Sequence, residues 1–133
     1  MTLKEKQIAF VTVLDEFLHN IIIQQSEKDV VITLGELERP QWVQDIYVKE
    51  GKSKKKVSGH SERRAIDLNV YVDGVWQDGK TKESKEHYRW LGELWEEIGR
   101  DFDVPVIWGG RFGVPKEAYD KEIGWDARHF EVL

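Results

Sequence analysis

The stretch AIDLNVYV at 65–72 constrains this chain more than any other. Apolar and polar residues alternate along it, which predicts a strand with Ile66, Leu68, Val70 and Val72 on one face and Asp67 and Asn69 on the other. Two helical patterns accompany it. Phe10, Val13, Leu14, Phe17 and Ile21 recur at three- and four-residue spacing and predict an amphipathic helix over 3–25. Tyr88, Leu91, Leu94, Trp95 and Ile98 predict another over about 82–100. Short β-branched or apolar runs at 29–34, 104–108 and 129–133 read as further strands. A helix is expected from near Arg39-Pro40, with proline in its first turn, to about Glu50. Residues 51–61, GKSKKKVSGHS, read as a polar loop, and DGVWQDGK at 73–80 as a tight turn or hairpin. Helices and short strands interleave with irregular connections, so the expected class is α+β, a small antiparallel sheet flanked by helices. A chain of 133 residues with six Trp, five Phe and four Tyr fits one domain, 1–133, with a core of its own.

With no cysteine in the chain, disulfides and thiolate metal sites are excluded, and any metal must sit on His, Asp or Glu. A net charge of −5, with acids and bases mixed, argues against nucleic acid as a partner. The opening MTLKEKQIAF does not read as a signal peptide. The apolar stretch 8–23 is broken by Asp15, Glu16 and His19, so no membrane insertion is expected. Synthesis in the cytoplasm follows as an expectation.

There are four histidines. His60 lies in SGHSERRAIDL (58–68), seven residues before Asp67, and His129 in WDARHFEVL (125–133), at the mouth of the last strand. Two imidazoles and a carboxylate are a normal ligand set for Zn²⁺, and three protein ligands leave a fourth position open. Spacing alone equally allows a surface His60, a solvent-facing Asp67 and a His129 satisfied by a backbone carbonyl. His19 and His87 have no partner at metal-like spacing and read as surface residues.

Order and flanks add a resemblance. Ser58, His60, Ala65, Asp67 and Leu68 come first, followed by Trp108-Gly109-Gly110, then Asp126, His129, Phe130 and Glu131. In this order they resemble the family of D-alanyl-D-alanine carboxypeptidases and L-alanyl-D-glutamate endopeptidases. These are zinc peptidases that cut the stem peptide of bacterial peptidoglycan, and many small ones are phage endolysins. The likeness extends through ITLGELERPQWVQ (32–44), where Arg39 precedes Gln44 by five, and so covers about 30–133. Residues 3–25 would then be an N-terminal helix packed on it. Two places depart from the family pattern. Arg63 stands where a glycine usually follows the first His by three, and Glu36-Leu37-Glu38 replaces a Gly- or Ser-rich turn.

The resemblance implies a hedgehog/DD-peptidase-like single domain with Zn²⁺ held by His60, Asp67 and His129. It implies Asp126 as the catalytic acid–base and Arg39 as a clamp for an oxyanion or substrate carboxylate. Ser58 is expected near metal or substrate. Glu131 is the rival base, grouped with Ser58 as substrate-binding, or else the partner that orients an imidazole. Trp108 and its two glycines read as structural, and KSKKK (52–56) as a solvated loop or a contact with anionic wall polymer. The implied activity is hydrolysis of a stem-peptide bond by a monomer, with L-alanyl-D-glutamate endopeptidase favoured. An endolysin would reach the wall through a separate membrane pore. The alternatives are D-alanyl-D-alanine carboxypeptidase and a non-catalytic zinc domain of the same fold. A two-carboxylate glycosidase also stays open on the residues alone.

Overall fold

The computed structural model describes residues 1–36, 41–51 and 62–133. The order of elements is α1 (Leu3–Gln24), β1 (Val31–Leu34), α2 (Gln41–Lys49), β2 (Ala65–Val72), β3 (Val75–Gln77), α3 (Lys82–Glu86), α4 (Arg89–Asp101), β4 (Val106–Trp108) and β5 (His129–Val132). Single 3₁₀ turns at Gly109–Arg111 and Lys116–Ala118 lie between β4 and β5. Helix α1 starts on a capping box: the Thr2 hydroxyl accepts from the Glu5 amide, and the Glu5 carboxylate accepts from the Thr2 amide.

Among the described residues all ladders are antiparallel. Strand β2 pairs with β1, β3 and β5, and β4 adds to the far side of β5. The β2–β3 hairpin turns at Asp73-Gly74, with φ of 51° and 77°, the left-handed pair a two-residue turn requires. Ile66, Leu68 and Val70 of β2 and Phe130 and Val132 of β5 are buried with Phe10, Val13, Phe17 and Ile21 of α1 and Leu91, Trp95 and Ile98 of α4. The Phe17 ring lies 4.9 Å from that of Trp95 and 5.2 Å from that of Phe130, so both helices close on the same patch of sheet. Each such side chain, fully buried, contributes about 1.5–3 kcal/mol.

The helix expected over 82–100 divides into α3 and α4 at His87-Tyr88. Tyr88 is fully buried; its hydroxyl donates to the Gln77 carbonyl at 2.6 Å and accepts from the Val70 amide at 3.0 Å. It thus supplies hydrogen bonds at the open end of the short β2–β3 ladder, and burial pushes its pKa up. Strand β1 begins later than expected because Asp29 (φ 54°) takes the left-handed conformation, which extended backbone excludes; β4 begins at Val106, two residues later than expected. The expected helix start at Arg39-Pro40 and the loop over 52–61 lie outside the described residues.

Candidate metal centre

Strand register builds this site. Strands β2 and β5 pair Asp67 with His129, Ile66 with Phe130 and Ala65 with Glu131. Opposed residues share a face, so Asp67 and His129 emerge together on the side away from the buried Ile66 and Phe130. Asp67 Oδ1 lies 3.5 Å from His129 Nδ1. The turn before β5, closed by the His129 amide on the Asp126 carbonyl at 3.1 Å, brings Asp126 Oδ2 to 3.9 Å from the same nitrogen. The other nitrogen, Nε2, is 2.8 Å from Glu131 Oε1. Behind it, Arg64 Nη1 donates to Glu131 Oε2 and to the Val132 carbonyl, both at 2.7 Å, and the guanidinium also pairs with Glu62.

Charge follows from this arrangement. Burial opposes a charged His129, but Asp67 and Glu131 against its two nitrogens, with Asp126 nearby, outweigh it and push the pKa up to about 9. Burial likewise disfavours the Glu131 carboxylate, yet His129 and Arg64 hold it down to about 2. The site therefore keeps a cation among its carboxylates. With Nε2 committed to Glu131, the Nδ1 lone pair faces Asp67 and Asp126, and these acceptors repel one another unless a proton or a metal ion stands among them. That donor set suits Zn²⁺, and a carboxylate behind the ligating imidazole is the usual way to fix its orientation.

Among the described residues no three His, Asp or Glu side chains converge as a complete metal site. Two of the three expected ligands, Asp67 and His129, stand together. The third, His60, lies outside the described residues, as do Arg39 and Ser58. Asp126 is at the rim, its side chain 35% exposed against 17% for Asp67. Glu131, with its side chain 4% exposed, lies against Nε2 of the His129 ring. Gln44 is fully buried on α2. Trp108 and Gly109 hold the turn that carries Asp126. The Trp108 indole donates to the Ala127 carbonyl at 2.6 Å, and any Cβ at position 109 would strike the Asp126 carbonyl and His129 Cβ. Arg64 and Phe112, whose ring lies 5.7 Å from the imidazole, have no signal in residue spacing. Arg64 becomes visible only once Asp67 and His129 are known to be paired.

Residues 51–132, more than half the chain, match the family described as D-alanyl-D-alanine carboxypeptidase. The chain belongs to this family. Members of the D-alanyl-D-alanine carboxypeptidase family are peptidases acting on peptidoglycan and are generally zinc-dependent. A solved structure, the L-Ala D-Glu endopeptidase ChiX of Serratia marcescens, is similar with a TM-score of 0.59. The two are 23% identical, and the match covers 78% of this chain and 68% of that one, so the fold is shared. No curated protein sequence matches this chain. Arg63, where the family usually has glycine, has φ 58°, in the left-handed region that favours glycine.

Proposed function

We propose that this protein is a zinc-dependent endopeptidase that hydrolyses the L-alanyl-D-glutamate bond of the peptidoglycan stem peptide, in the role of a phage or prophage endolysin. The observation that carries the reading is the convergence of Asp67 and Asp126 on one nitrogen of a buried His129 whose other nitrogen is fixed by Glu131. His60, Asp67 and His129 would hold the metal. When bound, the metal supplies Lewis-acid polarisation of the scissile carbonyl and makes water more acidic. Asp126 has the exposure and position for proton transfer. It takes the proton of the attacking water as the new C–O bond forms, and returns it to the amine nitrogen as the C–N bond breaks. Glu131 and Arg64 keep the imidazole in register throughout, and Arg39 would meet the oxyanion or a substrate carboxylate. Helix α1 shares its core with the sheet that bears the site and would act as part of the same domain; a monomer is proposed. Access to the wall would come through a separate membrane pore.

Gram-negative sacculi should lose turbidity with the zinc-loaded protein and keep it when chelator is present. Mass spectrometry of the products should show stem peptides that begin at D-glutamate. Release of terminal D-alanine alone would move the assignment to the carboxypeptidase, and intact walls would leave a non-catalytic zinc domain. Asp126→Asn should retain fold and metal while turnover falls about 100-fold or more.

A further inference from the structure

Beside the metal centre lies a cavity of about 520 Å³, within the range of small-ligand sites. Phe112 joins the two: its ring is 5.7 Å from the His129 imidazole and 5.1 Å from the Trp125 indole, and both aromatic residues line the cavity. Trp125 is 69% exposed, lines the cavity and directly precedes Asp126, so its indole is open to a ligand on the side of the candidate metal centre.

The lining also carries a charge pattern that the reaction does not require. Lys82 and Lys85 come from α3 and Lys121 from the segment before β5, and they share the cavity with Glu86 and Glu122. Glu86 is already neutralised, since Arg89 donates to its two oxygens through Nε and Nη2, both at 2.9 Å. Three ammonium groups thus face two carboxylates, one of them spent on Arg89, in a chain whose net charge is −5. Lys85 is half-buried and tethered by a long bond of 3.4 Å from Nζ to the Ile123 carbonyl, which engages one of its three donors. Ammonium donors next to an aromatic wall are matched by a ligand with a carboxylate and a short aliphatic body.

We infer that this cavity is the subsite for a carboxylate-bearing residue beside the scissile bond, with Lys85, Lys82 and Lys121 pairing the carboxylate and Phe112 and Trp125 covering the aliphatic part. The inference rests on the peptidase reading and deepens it. A stem-peptide D-glutamate linked onward through its γ-carboxyl keeps a free α-carboxylate next to the L-alanyl-D-glutamate amide. The cavity selects that charge, and substrates in which it is amidated are disfavoured.

The experiment uses two synthetic stem peptides, identical except that one carries the free α-carboxylate and the other its amide. Zinc-loaded protein should cut the acid with about tenfold higher kcat/KM, mainly through KM, as a charge-assisted pair that is only partly buried would give. In the K82M/K85M/K121M variant the acid-to-amide ratio should fall to within about twofold. Binding of both peptides to zinc-loaded Asp126→Asn protein, by calorimetry, separates the two levels of the reading. Tighter binding of the acid that vanishes with the lysines, when the unaltered zinc-loaded protein cuts neither peptide, supports the subsite and sinks the peptidase. Cleavage with equal binding and turnover of acid and amide, or a preference that survives loss of all three lysines, overturns the subsite and leaves the peptidase standing.

Discussion

His129 is held at both nitrogens by carboxylates, and that double grip sets what single substitutions should do. Glu131→Gln keeps the shape behind the ring but removes the charge that faces both the imidazole and Arg64. Metal affinity should fall about 10- to 100-fold, and the metal-free fold should lose about 3 kcal/mol because Arg64 is left as a buried charge with a weaker partner. Chelator competition and thermal melts read the two effects separately; an unchanged affinity would remove the orienting role. The same grip would make binding of the proposed metal pH-dependent. In the metal-free protein the His129 pKa is raised from 6.5 to about 9, so between these values the ring must give up a proton to bind metal. Apparent affinity should rise about tenfold per pH unit in that window and level off above it. For the metal-free fold, a raised histidine pKa gives stability that is complete below 6.5 and is lost as pH rises through about 9. A lowered Glu131 pKa gives stability present above 4.5 and lost as pH falls through about 2. Denaturant unfolding of metal-free protein should therefore find greatest stability between pH 4.5 and 6.5, and a maximum above pH 8 would contradict this account. At this scale the sequence was half legible. The order and flanks of their motifs single out Asp67, Asp126 and His129, which the structure brings together, whereas Arg64 reads like any surface arginine until a strand register buries it.

Strand β2 was legible from end to end because alternation over eight residues has a single structural reading, and the Asp73-Gly74 turn fixed its partner β3. The interruption between α3 and α4 was not, because apolar spacing at Tyr88 continues as if the helix did. What breaks it is a hydroxyl reaching the sheet, a contact between elements far apart in the pattern. The turn before β5 makes a sharper test of how elements place the site. Gly109→Ala would set a methyl against the Asp126 carbonyl and His129 Cβ, with backbone and a strand residue as the obstacles. A loss of about 1–3 kcal/mol is expected from such overpacking, and turnover should drop on the order of 100-fold because Asp126 is displaced from its line to Nδ1. Gly74→Ala provides the control. Its φ of 77° costs an alanine roughly 1 kcal/mol, but the position meets nothing within 4 Å, so turnover should hold. Equal activity loss in both variants would mean that general destabilisation, and not the position of Asp126, governs the rate.

On the scale of the whole molecule, the proposed metal and the core would do separate work. Trp95, Phe17, Phe130 and their neighbours bury one continuous cluster between α1, α4 and the sheet, on the face opposite Asp67 and His129. A chain with its own core does not need a metal to fold, unlike the small zinc modules that are unfolded without it. Zinc would nonetheless join β2, β5 and the segment bearing His60, so it should stabilise by mass action alone. At free zinc 100-fold above Kd the gain is about 2.7 kcal/mol, or roughly 10 °C in Tm for a domain of this size. Scanning calorimetry with buffered zinc should show a Tm that climbs with the logarithm of free metal and returns to a folded baseline on chelation. The His60→Ala variant should melt near the chelated value at every zinc concentration up to its weakened Kd. Unfolding by chelator at 25 °C would mean that the apolar cluster is not self-sufficient, and a Tm indifferent to zinc in the unaltered chain would remove the metal from the account of both stability and catalysis.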